Sequence, residues 1–230
     1  GIIYGSDGHR MSKSRGNVVT PDEVIDRYGA DALRCFELFM GPFELDNAWD
    51  PDGPKGQFRF LNRVWELGQS NSPGEDSPDV LQLLHQTIKD VTERLEDFRF
   101  NTAVSKLHEL LNALEKRGCS AQTVDALLLL LAPIAPHMTE ELWHSRHSEG
   151  GSIHSKAWPK YDPRLAASVE CSIVVQVNGK VRDTIQAALD LPQEQVEELA
   201  RASERVQRFL DGSQVRKVIY VRNRLINLVV

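Results

Sequence analysis

An ammonium flanked by two hydroxyls stands near the start of this 230-residue chain: Ser12-Lys13-Ser14, preceded by Arg10-Met11 and followed by Arg15-Gly16-Asn17. Such a loop suits a polyphosphate, because the lysine offsets phosphate charge and the serine hydroxyls donate hydrogen bonds. An attacked phosphorus needs extra positive charge only transiently, so a mobile loop is a reasonable place to keep it. A solvated basic loop accounts for the same composition.

A second concentration of charge lies at the other end. From Gln214 to Val230 the chain holds Arg216, Lys217, Arg222 and Arg224 and no acid. Lys180 and Arg182 precede them. The formal net charge of −6 excludes a protein that coats nucleic acid non-specifically, since such binding rests on an excess of Lys and Arg. A local basic surface remains open, and the asymmetry is a clue to a partner. Each cation is equally explained as a solubilising surface charge. Arg59 and Arg63, at i, i+4, read either as lining a docked partner or as an exposed helix face. His144 and His147 have a spacing that could hold a metal but lack an obvious third ligand, so no metal site is expected. Cys35, Cys119 and Cys171 form neither a disulfide framework nor a zinc pattern and fit a reducing, cytoplasmic compartment.

The elements that must position these residues are mostly helical. Gly1 to Tyr4 reads as the last strand of something larger, and Gly5 to Asn17 as a loop. Thr20-Pro21 with Glu23 predicts a capping box and a helix start that holds the loop against a helix N-terminus. Further helices are expected from Asp31 to Met40 and from Pro54 to Gly68, followed by a polar linker from Ser70 to Pro78. Leu81, Leu84, Ile88, Val91 and Leu95 recur at three and four spacings, one stripe of a long amphipathic helix. Asn101 is expected to cap the next helix. The run Val124 to Ile134 is apolar nearly all round and reads as the most buried helix; short links between such neighbours predict a bundle. The longest apolar run, Ala126 to Ala135, is interrupted by Pro133 and is too short to span a bilayer, so no membrane is expected. After Trp158-Pro159 the period changes to two. Ile173 to Val177, the Asn178-Gly179 turn and Val181 to Ile185 make a hairpin. One helix from Pro192 to Leu210 and two more strands complete a β-β-α-β-β domain. Asp162 to Ser168 reads as a hinge.

Several of these segments carry a resemblance. Arg10-Met11-Ser12-Lys13-Ser14 resembles the KMSKS signature of class I aminoacyl-tRNA synthetases, with Arg10 replacing the first lysine by a planar fork whose role is left open. Tyr28-Gly29-Ala30-Asp31-Ala32-Leu33-Arg34 resembles the segment after the signature in the leucine, isoleucine and valine enzymes. Phe39-Met40-Gly41-Pro42 and Phe60-Leu61-Asn62-Arg63-Val64-Trp65 narrow this toward the leucine enzyme. Leu131 to Trp143 resembles the helical anticodon-binding-type domain of the same group; His137 and Glu140 within it read as cap and surface residues. Val175 to Arg182, Val215 to Val221 and Leu225 to Val230 are similar to the terminal domain of bacterial-type leucyl-tRNA synthetases. The valine enzyme instead ends in a coiled coil, and the isoleucine enzyme commonly in a zinc module.

That resemblance, collinear over essentially the whole chain, implies a mainly α fold. Residues 1–50 would be the end of a catalytic domain, 51–161 an anticodon-binding-type bundle and 169–230 an α+β tRNA-binding domain. It implies an enzyme that joins leucine to tRNA(Leu) through leucyl-adenylate, using ATP with Mg2+. Lys13, with Ser12 and Ser14, would be catalytic, and Arg10, Met11, Ser12, Lys13 and Ser14 would contact ATP. Lys180, Arg182, Arg216, Lys217, Arg222 and Arg224 are candidates for tRNA phosphates. Leucine and ATP would otherwise be held by a missing catalytic half, a partner subunit if the enzyme is naturally split; the chain alone is expected to be inactive. The alternatives are a free-standing tRNA-binding module, or a fragment of the valine or isoleucine enzyme.

Overall fold

Two short strands, β1 (Ile3–Tyr4) and β2 (Asn47–Ala48), pair in parallel and bracket the loop and two helices, α1 (Pro21–Tyr28) and α2 (Ala30–Phe39). The computed structural model describes residues 1–70, 74–167, 170–189, 191–210 and 215–230. Asn71 to Pro73 of the polar linker, Ser168 at the end of the expected hinge, Val169 at the expected start of the terminal domain, and Gln214 lie outside the described residues. The chain divides into two compact units, Gly1–Ala166 and Ala167–Val230.

In the first unit a bundle follows the strands: α3 (Gly53–Gln69), α4 (Pro78–Glu96), α5 (Phe100–Arg117), α6 (Ala121–Leu131) and α7 (Pro136–Arg146). Apolar side chains at three and four spacings build its core. Val80, Leu84, Ile88 and Val91 of α4 face Val104, Leu107, Leu111 and Leu114 of α5, and Leu127, Leu128, Leu130 and Leu131 of α6 are wholly buried. Each such leucine contributes about 2 kcal/mol through loss of apolar contact with water. Ser77 and Ser120 cap α4 and α6 by accepting from Val80 N–H and Thr123 N–H. At the far end Arg146 ties three helices together, bonding Asp125 Oδ1 at 2.8 Å and the carbonyls of Gly68 and Ala121.

Three local expectations need correction. Thr20 precedes α1 but its side chain makes no capping bond, so the helix starts on Pro21 and on the acids Asp22 and Glu23 of its first turn. Asn101 lies inside α5, which begins at Phe100. The stretch expected to be a hinge is strapped to the bundle as far as Ala166. Trp158 Nε1 donates to Thr92 Oγ1 at 2.8 Å, Asp162 N–H donates to His85 Nδ1 at 3.0 Å, and the short helix α8 (Pro163–Ala166) packs on α4.

The second unit is a four-stranded sheet backed by helices. Strands β3 (Glu170–Val177), β4 (Lys180–Ala188), β5 (Lys217–Val221) and β6 (Leu225–Val229) lie in the order β4-β3-β6-β5, with β3 and β6 parallel and the other pairs antiparallel. Asn178 and Gly179, at φ 50° and 77°, make the tight turn between β3 and β4. The single helix expected from Pro192 to Leu210 is two, α9 (Gln193–Ala202) and α10 (Glu204–Leu210). The chain breaks at Ser203, whose hydroxyl donates to Asp183 Oδ2 at 2.5 Å and accepts from Val206 N–H. Val196, Ala200, Val206 and Leu210 cover Ile173, Val175, Ile226 and Leu228.

Candidate functional site

Asn17 organises the signature loop. Its side-chain oxygen accepts from Ser12 N–H at 2.8 Å, and its amide donates to both carboxylate oxygens of Asp7 at 3.1 Å. Asp7 in turn accepts from His9 N–H at 3.0 Å; that bond, and then the Asn17 amide, hold its carboxyl below the ordinary value. Gly5 makes this approach feasible, because a Cβ there would lie 2.7 Å from Asp7 Oδ1 and 2.9 Å from Asn17 Nδ2. From this knot the chain runs into a single 3-10 turn, Lys13–Arg15, closed by Gly16 in the left-handed region at φ 68°.

The signature residues divide by burial. Met11 packs on Val24, Leu33, Phe36 and Trp49, the small core shared by the loop, α1 and α2. Ser12 Oγ and Ser14 Oγ lie 3.3 Å apart, and Arg10, Lys13 and Ser14 are exposed. Among the described residues no carboxylate forms an ion pair with Arg10 or Lys13. The arrangement therefore presents hydroxyls and two cations to solvent while an apolar pin fixes the backbone. It can receive an anion with several oxygens.

Behind the loop, α2 is tied to the bundle. Asp31, 8% exposed, accepts from His137 Nδ1 at 2.8 Å and from Met138 N–H at 2.7 Å. Arg34 donates from Nε to the Ile134 carbonyl and from a terminal nitrogen to the Pro133 carbonyl, at 3.1 and 3.0 Å. Neither residue carries a signal in composition or spacing. Both lie within the segment Tyr28 to Arg34, whose resemblance is legible in the sequence; its meeting with the segment Leu131 to Trp143 is not.

In the terminal unit the basic residues are not equivalent. Lys180, Arg216, Lys217, Arg222 and Arg224 are exposed, whereas the guanidinium of Arg182 lies over the Phe209 ring at 3.8 Å. The ladder explains this: Val175 pairs with Asp183 and Gln176 with Val181, so Arg182 is the extra residue of a bulge. Arg222 and Arg224 sit in the β5–β6 turn, with Asn223 at φ 57°, so strand alternation does not set their faces. Lys217 shares the outward face of β5 with Ile219 and Val221.

The comparisons with known proteins follow this division. Residues 78–198, just over half the chain, match the anticodon-binding domain of tRNA ligase, and residues 1–50 match the class I tRNA synthetases for I, L, M and V. The chain belongs to the class I tRNA ligases. The leucine-tRNA ligases of Chlorobaculum tepidum and Chlorobaculum parvum are 45% and 44% identical across 100% of this chain. It spans 29% of the length of each. The crystal structure of the ternary complex of Agrobacterium radiobacter K84 agnB2 LeuRS, tRNA and LeuAMS is 31% identical with a TM-score of 0.75; the match covers 100% of this chain and 32% of that one. The chain thus corresponds to the C-terminal part of leucine-tRNA ligase.

Within this tRNA-ligase chain the remaining candidates, Arg59 apart, are tied internally. Arg63 bonds Glu115 and, at 2.6 Å, Asn112 Oδ1, while Arg59 stays exposed. His144 bonds Glu140 at 3.1 Å and His147 bonds Asp125 at 2.9 Å, so the two histidines point at different carboxylates. Among the described residues no group of three His, Cys, Asp or Glu could hold a metal. His137, exposed as a surface residue, and Glu140 also serve as cross-links. His137 reaches Asp31, and Glu140 accepts from Ser152 Oγ and Ile153 N–H at 3.0 and 2.9 Å. The three cysteines are free thiols, and no helix among the described residues is long and apolar enough to cross a membrane.

Proposed function

We propose that this chain supplies the signature loop and the tRNA-docking parts of a leucine-tRNA ligase, which activates leucine with ATP and transfers it to tRNA(Leu). The observation that carries the reading is the loop itself: an exposed Lys13 between hydroxyls 3.3 Å apart, on a backbone pinned by Met11 and knotted by Asn17. When the leucine carboxylate attacks the α-phosphorus, negative charge accumulates on the departing pyrophosphate. Lys13 offsets that charge, and Ser12 and Ser14 donate to phosphate oxygens or shape the turn. Arg10 adds a second cation at the same edge. Lysine, arginine and hydroxyl donors suit phosphate oxygens, so magnesium would arrive with the nucleotide as MgATP, held by the phosphates.

Residues 1–50 form the catalytic edge in this reading, 51–161 the tRNA-facing bundle, and 169–230 a terminal tRNA-binding domain. Lys180, Arg216, Lys217, Arg222 and Arg224, with Arg182 braced on Phe209, would meet RNA phosphates, positioning the tRNA without reading its sequence. The test is Lys13→Ala in the full-length ligase. Leucine-dependent ATP–pyrophosphate exchange is expected to fall by about a hundredfold or more, mainly in kcat. Exchange unchanged by the substitution would remove Lys13 from the reaction.

A further inference from the structure

The segment Tyr28 to Arg34 and the segment Leu131 to Trp143 are separated by about a hundred residues of chain, yet they are joined by one helix turn of opposite charges. Asp31 and Arg34, three apart on α2, grip the two ends of the α6–α7 link. Asp31 sits at the N-terminus of α7, where the preceding residue, Ala135, has no side chain able to cap. It therefore caps α7 from another helix, and its charge meets the positive end of the α7 dipole. Arg34 sits at the C-terminal end of α6, where the Pro133 and Ile134 carbonyls present the negative end. Most of these bonds go to backbone groups, so the grip reads where the bundle's main chain lies. On the other side α2 joins α1 through Gly29 at φ 82°, and α1 and α2 share with Met11 the core under the signature loop.

We propose that Asp31 and Arg34 are positioning residues for tRNA charging, holding the signature loop and the bundle in one frame so that a tRNA seated on the bundle meets the activated amino acid. This rests on the function proposed above. Arg34 is exposed, and its guanidinium donates from Nε and one terminal nitrogen to the two carbonyls. An acid and a base thus perform the same task.

The test uses the full-length ligase with Asp31→Asn and Arg34→Gln separately, measuring leucine-dependent pyrophosphate exchange and charging of tRNA(Leu). Exchange needs no tRNA, so it is expected to stay within about twofold of wild type. Charging is expected to lose about tenfold or more in kcat in both variants, with little change in KM for tRNA. A direct phosphate contact would instead make the two substitutions, of opposite charge, act in opposite directions on KM. A merely structural role would lower exchange and charging in proportion. Charging reduced no more than exchange in either variant, or reduced through KM alone, overturns the proposal. If Arg34→Gln does not accumulate as folded protein, Arg34→Lys, which keeps the charge and loses the fork, is read by the same ratio. Absence of leucine charging by the wild-type ligase would instead sink the functional reading, before any variant is made.

Discussion

Single side chains decide the shape of the signature loop, and Asn17 carries most of that load. It satisfies the Ser12 amide and donates to both carboxylate oxygens of Asp7, so Asn17→Ala leaves the Ser12 amide without that partner and Asp7 with the His9 N–H bond but not the Asn17 amide. In the full-length ligase we expect pyrophosphate exchange to fall by about tenfold or more, with a stability change below about 1 kcal/mol because the site is at the surface. Loss of activity matched by loss of the thermal transition would contradict this. His108 offers a second test at the same scale. Its ring stacks on Phe60 with centroids 3.8 Å apart, and its Nε2 donates to Gln57 Oε1 at 3.1 Å. Burial, helped by the charge of Arg63, lowers its pKa to about 4 from 6.5. The unfolded chain therefore takes up a proton below about pH 6.5 that the fold refuses until about pH 4. The resulting stability is present above 6.5 and is lost as pH falls through that window. Since the ring is only partly buried, the loss at pH 5 should be on the order of 1 kcal/mol. Urea unfolding of the chain at pH 7.5 and at pH 5, with His108→Gln for comparison, measures it; the variant should show a smaller difference.

At the scale of elements, a hydroxyl caps or breaks a helix according to the partners within its reach, and the caps expected at Thr20 and Asn101 do not form. Ser77 and Ser120 cap the helices that follow them, as short-range chemistry dictates. Ser203 breaks what periodicity alone reads as one helix, since its hydroxyl serves Asp183 on β4 as well as the Val206 amide. Removing that hydroxyl in Ser203→Ala should cost about 1–2 kcal/mol in the terminal unit by freeing the α10 N-terminus and leaving Asp183 short of a partner. Chemical denaturation of the chain would show it, and an unchanged midpoint would mean that the break is set by the sheet instead. The bulge at Arg182 belongs to the same scale, because a ladder register that skips one residue turns a presumed surface cation onto an aromatic ring.

At the scale of the whole molecule, each unit has its own apolar core, one built on α3 to α7 and one between the terminal sheet and α9 and α10. Chains cut to residues 1–166 and 167–230 are therefore expected to unfold cooperatively when made separately, as followed by circular dichroism; a terminal piece without a transition would show that it needs the rest of the chain. The sequence by itself determined the element types, the bundle-then-sheet order and the signature loop, because heptad-like stripes, period-two strands and Asn-Gly turns act over a few residues. It also carried the resemblance to the leucine enzymes. Only the tertiary structure decided that Asp31 and Arg34 hold the α6–α7 link, that His137 and Glu140 are cross-links, and that Asp162 to Ala166 is strapped to α4. Those outcomes depend on groups brought together from 12 to 107 residues apart, and no local period encodes which polar side chain will find which distant group.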